Sequence, residues 1–90
     1  MRVALICIDK PVALQVRADN RPAHLAHIAA TGVVEIAGPF LNEAGQMIGS
    51  LIILNVDTLA QAKDWAASDP YAKAGLFQSV TITEWKKVVG

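Results

Sequence analysis

The chain of 90 residues contains one cysteine, Cys7, so neither an internal disulfide nor a cysteine-based zinc site can be built from it. Charge is also scarce. Asp, Glu, Lys and Arg make up 18% of the residues, eight of each sign, and the formal net charge is zero. The basic residues are scattered along the chain, with no stripe able to follow a phosphate backbone, and nucleic acid is not an expected partner. No apolar run approaches the ~18 residues of a membrane span. The run at residues 3–8 is too short for the core of a secretory leader and is stopped by Asp9 and Lys10. A cytoplasmic protein with no membrane partner is expected. A phosphate-binding glycine loop and a Gly-x-Ser-x-Gly elbow are both missing, and no cofactor is expected.

What is there is apolar. Hydrophobic residues make up 53% of the chain, which excludes a disordered segment and leaves one small domain, residues 1–90. A domain of this size hides roughly 60–65% of its unfolded surface, a modest core that makes oligomerisation a live option.

Residues 3–8 read as a buried first strand. Two helical stretches follow, residues 11–18 and 22–30. Proline disfavours helical geometry in the residue before it, so Asn20-Arg21-Pro22 predicts a broken helix that restarts at about Pro22 and ends at Gly32. Residues 33–38 form a second strand closed by Pro39, and a turn through Asn42 and Gly45 leads to a third strand at 47–56. Thr58 and Gln61 have the spacing of a capping box, opening a helix that stops at Asp69-Pro70. Alternation of Val80 and Ile82 with Ser79, Thr81 and Thr83 marks the last strand, 77–85.

The order β-α-β-β-α-β predicts a ferredoxin-like α+β fold: a four-stranded antiparallel sheet with two helices on one face. Its strands conflict with a solvated outer face. Leu51-Ile52-Ile53-Leu54 and the six apolar residues of the first strand do not alternate as a half-exposed strand should. Two helices cover only one face, so a second copy of the chain, sheet against sheet at about 10 Å, is expected on the other.

His24 and His27, three apart, present neighbouring helix faces. As His-x-x-His they could be half a metal site, but the sequence places no third ligand, and no metal is expected. His24, in the first turn after Pro22, would feel a positive helix end that disfavours the imidazolium and favours a neutral base. Asp69, before Pro70 and six residues ahead of Gly75, fits equally as the N-cap of one short helical turn and as a catalytic carboxylate. Ser50 lies among large aliphatics, where its hydroxyl either satisfies a backbone group or faces a cavity. Gly38 permits close approach of a backbone or a ligand.

Together the segments Arg21-Pro-Ala-His24-Leu-Ala-His27, Ala37-Gly38-Pro39, Gly49-Ser50, Ala62-x-x-Trp65-Ala66 and Asp69-Pro-Tyr-x-x-Ala-Gly75 resemble the YciI-like (YCII-related) family. The likeness extends from Asp9-Lys10 to the Trp85-Lys86-Lys87 ending. It implies a dimeric α+β barrel, a ferredoxin-like unit paired through its sheets. It also implies a catalytic His24–Asp69 pair with the third-strand Ser50 beside it. Arg21, which could neutralise a carboxylate or phenolate, Gly38 and Tyr71 are further candidate substrate contacts. One branch of the family is similar to dehydrochlorinases of chlorinated hydroxyhydroquinones, and the wider fold includes muconolactone isomerases. The hairpin between Phe40 and Met47 is shorter here than in the family's closest members. The implied activity is cofactor-independent acid/base chemistry of lyase or isomerase type on a small cyclic or hydroxylated substrate. The alternative is a ligand-binding or accessory domain without chemistry.

Overall fold

The computed structural model describes all residues, 1–90. The elements run β1 (Arg2–Asp9), α1 (Leu14–Thr31), β2 (Val34–Leu41), β3 (Met47–Asn55), α2 (Leu59–Ser68), α3 (Pro70–Lys73) and β4 (Phe77–Trp85). The strands form one antiparallel sheet in the order β2-β3-β1-β4. This is the expected ferredoxin-like arrangement, with α3 added as a single turn between α2 and β4. No helix is long and apolar enough to cross a membrane.

The broken helix is a correction. α1 runs unbroken for 18 residues, with Pro22 inside it. Proline removes one hydrogen bond, the one its own N–H would give to the carbonyl of Ala18, four residues back. Both Ala18 and Pro22 are exposed, so water can satisfy the freed carbonyl and the helix continues. It ends where expected: Gly32 adopts φ 66° and its N–H closes onto the Ile28 carbonyl. Likewise β2 does not stop at Pro39 but runs on to Leu41. β2 is an edge strand, where a residue lacking an N–H need not break a ladder bond.

α2 begins with the expected capping box: Thr58 Oγ1 accepts the Gln61 N–H at 3.2 Å and Gln61 Oε1 accepts the Thr58 N–H at 3.3 Å. Trp65 Nε1–H donates to Thr31 Oγ1 at 2.8 Å, which fixes α2 against the end of α1. Val3, Leu5 and Cys7 of β1 and Ile52 and Leu54 of β3 meet Ala62 and Trp65 of α2 in the core. The opposite face of the sheet carries Ile6, Ile8, Ile36 and Leu51, which are 37–60% exposed. These apolar residues are part-exposed in the single chain, whereas Ile53 on the same face is buried at 3%.

Candidate functional site

With α1 unbroken, Arg17, Arg21, His24 and Ile28 fall at spacings of four, three and four, a single stripe along the helix. The stripe faces Ala37, Gly38 and Pro39 of β2 and Ser50 and Ile52 of β3 across a cavity of about 100 Å³. His24, Arg21, Gly38, Ser50 and Tyr71, all singled out in the sequence, line this one cavity. Asp69 does not line it; it stands behind His24.

His24 Nδ1–H donates to Asp69 Oδ1 at 2.8 Å, and the two residues are only 6% and 1% exposed. The same oxygen accepts the Tyr71 backbone N–H at 3.0 Å and so caps α3. Cap and histidine partner, alternatives in the sequence, are one carboxylate oxygen in the structure. Placing a proton on Nδ1 leaves Nε2 as the basic nitrogen. Nε2 has no partner in the protein, and no fully buried side-chain nitrogen or oxygen is left unpaired, so Nε2 opens on the cavity. The positive helix end expected at His24 is absent, because His24 lies ten residues beyond Leu14 in a continuous helix. Asp69 fixes the tautomer of its ring instead.

His27 is turned elsewhere. Its Nε2–H donates to the Trp65 carbonyl at 3.3 Å and its ring packs on Trp65 with centroids 4.6 Å apart. The two histidines do not converge, and no cluster of three His, Cys, Asp or Glu side chains is arranged to hold a metal.

Arg17 was not foreseen as a site residue. It is 4% exposed, and its Nε and Nη2 donate to the two oxygens of Asp9 at 2.7 and 2.9 Å. A shift of register after Ile8 ends the regular pairing of β1 with β4 beside Asp9. Nη2 also donates to Ser50 Oγ at 3.0 Å. Burial opposes the Arg17 charge, but the hydrogen bonds and charge of Asp9 outweigh it, and its pKa is raised. Tyr71 ties Arg17 to His24. Its ring stacks on His24 (centroids 4.0 Å, planes 15° apart), and the Arg17 guanidinium carbon lies 4.7 Å from its centre. Two helical turns separate Arg17 from His24 by about 10.5 Å along the axis, close to the span of a ring layered between them. Burial raises the Tyr71 pKa, so its hydroxyl stays protonated at neutral pH. The signal missed in the sequence is the seven-residue spacing of Arg17 and His24, which is meaningful only if the helix passes through Pro22.

Cys7, opposite Ser50 in the sheet, faces the core beside this network. Burial, with the Asp69 charge adding to it, pushes its thiol up to about 12 from 9.0. The unfolded chain ionises its thiol above pH 9 and the folded chain does not. The stability Cys7 contributes is therefore intact below pH 9 and lost as the pH rises toward 12, a loss on the order of 4 kcal/mol at most. Urea unfolding from pH 8 to 11 should show this fall, and Cys7→Ala should flatten it. An unchanged slope in the variant would mean that other groups govern the alkaline loss.

Comparison with known proteins identifies the family and the fold. The YCII-related domain matches residues 1–86. The chain is 36% identical over 89 residues to Protein YciI of Escherichia coli O6:H1, covering 89% of this chain and 91% of that protein, with the same figures for Protein YciI of Shigella flexneri. A protein of Haemophilus influenzae is 36% identical over 98 aligned positions, covering 98% of this chain and 99% of its own. Among solved structures, the 5-chloro-2-hydroxyhydroquinone dehydrochlorinase of Burkholderia phenoliruptrix AC1100, in complex with 2,5-dihydroxybenzoquinone, superimposes with a TM-score of 0.87. It is 32% identical, and the match covers 96% of this chain and 94% of that one. An antibiotic biosynthesis monooxygenase shares the fold alone, at a TM-score of 0.56 and 10% identity. The chain belongs to the YCII-related domain family.

Proposed function

We propose that this protein is a cofactor-independent enzyme acting on a small, hydroxylated single-ring substrate, with His24 as the general base and Asp69 as its partner. The observation that carries the reading is the 2.8 Å bond from His24 Nδ1 to a buried carboxylate, with Nε2 open on the cavity. A base held in one tautomer within reach of a ligand is what proton abstraction requires. Taking a proton from a ring hydroxyl or an activated carbon leaves its electron pair on the ring. Chloride leaves with its bonding pair once the carbon that bears it has taken up a proton. A double-bond shift ends when His24 returns the proton to another carbon. Neither path needs an oxidant or reductant. The cavity, about 100 Å³ with Arg17, His24, Ser50 and Tyr71 beside apolar Leu25, Ile28 and Ile52, suits a small ligand that carries polar groups. The likeness to a dehydrochlorinase over nearly the whole chain supports the same class of chemistry.

Thermal unfolding in the presence of chlorinated hydroquinones, catechols, lactones and small keto acids tests the ligand class. A ligand at 100 times its dissociation constant adds about 2.7 kcal/mol, a plain rise in Tm. His24→Gln should keep the rise and lose turnover. Binding without turnover in the wild type would make the chain a ligand-binding domain, and silence across the panel would remove the single-ring reading.

The working form is proposed to be a homodimer paired through the part-exposed sheet face. Ile6, Ile8, Ile36 and Leu51 lie on it at 37–60% exposure, an apolar face that a second copy would bury. Light scattering should return twice the chain mass of 9.6 kDa, and Leu51→Lys should return the mass of one chain. A monomeric wild type would contradict the pairing.

A further inference from the structure

Three of the polar groups around Arg17 have capacity left over. Arg17 Nε and Nη2 are taken by Asp9 and Ser50, but Nη1 has no acceptor in the protein. Ser50 Oγ accepts from Arg17 and has no acceptor for its own proton. The Tyr71 hydroxyl lies near the Arg17 guanidinium, which restrains the rise of its pKa, and no protein acceptor takes its proton. Arg17 Nη1 and the Tyr71 hydroxyl are not sealed, because no fully buried side-chain atom is left without a partner. Arg17, Ser50 and Tyr71 all line the cavity, so the unused donors are open to it. Each of the three residues is more than nine-tenths buried, so the donors are held in place rather than mobile. Asp9 fixes the guanidinium through two bonds and orients Nη1 without occupying it. A second arginine, Arg21, one turn along α1, adds positive charge at the exposed side of the same cavity.

We propose that Arg17 Nη1 and the Ser50 hydroxyl form an oxyanion pocket for a phenolate or enolate oxygen of the ligand. This rests on the reading of the cavity as a single-ring site and names what that site recognises. Charge left on the ring when His24 Nε2 takes a proton is delocalised onto the oxygen held at Arg17. The O–H or C–H bond breaks, the proton goes to Nε2, and the electron pair stays in the ring. Donors fixed before the reaction and aimed at the developing charge stabilise it with little reorganisation. Arg17 is then a ligand contact as well as part of the buried frame.

The probe is 4-nitrophenol, a single ring that ionises near neutral pH and turns yellow as the phenolate. Bound to the wild type, it should favour the phenolate over the phenol by about tenfold or more relative to free solution, the scale of a hydrogen bond to a charged group. The absorbance titration of the bound dye would then be displaced to lower pH. In the paired variant Arg17→Met with Asp9→Leu, which leaves no buried charge alone, that preference should vanish. Ser50→Ala, which keeps the Arg17–Asp9 pair, should reduce it in part. His24→Gln should retain it. Tight binding with an unchanged phenolate preference in the Arg17 variant would overturn the oxyanion pocket and leave the single-ring site standing. No binding of the dye to the wild type would overturn both.

Discussion

Replacing Asp9 with leucine is expected to destabilise the protein by about 3–5 kcal/mol, because the Arg17 guanidinium is left charged, buried and without its carboxylate. The Arg17 side chain is 5% exposed and that of Asp9 6%, and both oxygens of Asp9 are engaged, at 2.7 and 2.9 Å. Surface pairs of this kind contribute little, as water screens them. Here the charge that remains meets solvent only through the narrow cavity, and Arg17 does not shed its proton at neutral pH. A domain of this length has only several kcal/mol in hand, so the single variant should unfold at far lower urea or fail to accumulate. The paired variant, Asp9→Leu with Arg17→Met, removes both charges and fills similar volume. It should recover most of the loss, since apolar replacement of a whole buried pair is often neutral. Urea unfolding of the three proteins reads this directly. A single variant within 1 kcal/mol of the wild type would mean that the pair is hydrated and not a buried frame.

The second large effect separates the two roles of Asp69. Asp69→Ala removes the cap of α3, about 0.5–2 kcal/mol, and strands the His24 Nδ1–H in a buried site at about 1–3 kcal/mol more. Asp69→Asn is a different matter. The Tyr71 N–H and His24 Nδ1–H meet the same Oδ1, so the asparagine oxygen is drawn to that position and its NH₂ points away. The cap and the histidine tautomer survive, and stability should stay within about 1 kcal/mol of the wild type. Only the negative charge that stabilises the imidazolium is lost. Turnover should then drop about a hundredfold, at the lower end of the 10²–10⁴ range for a positioned acid or base. His24→Gln should cost more, since the base itself is gone. Steady-state rates beside urea midpoints decide this: an Asn variant as active as the wild type would make Asp69 a cap alone.

Much of this was readable in the chain because it rests on local chemistry. Thr58-x-x-Gln61 forms its capping box from residues three apart, and β4 begins and ends at Phe77 and Trp85, where the alternation placed it. Asp69-Pro70 set a cap before a proline that cannot use one more N–H bond. The misreadings both involve proline. Pro22 locally predicts the end of a helix segment and Pro39 the end of a strand, yet each lies where the missing bond faces solvent or a free edge. The first error had a cost at the site. Breaking α1 at Pro22 put Arg17 and His24 in separate pieces and hid the stripe that lines the cavity. The contacts themselves join residues 8, 33 and 45 apart, Arg17 to Asp9, Arg17 to Ser50 and His24 to Asp69. Pairings at such separations follow from the packing of α1 on the sheet, which no local pattern encodes. For His24 and Asp69 the family resemblance supplied the pair; for Arg17 nothing did.

The most direct test is chloride release from a chlorinated hydroquinone that binds the wild type, by the wild type and His24→Gln at equal concentration, with binding of each measured alongside. The account predicts stoichiometric chloride from the wild type, similar binding by both proteins, and a rate at least about a hundredfold lower in the variant. Equal rates in the two proteins would remove His24 as the base. A substrate that binds the wild type and is never turned over would leave the cavity as a binding site alone.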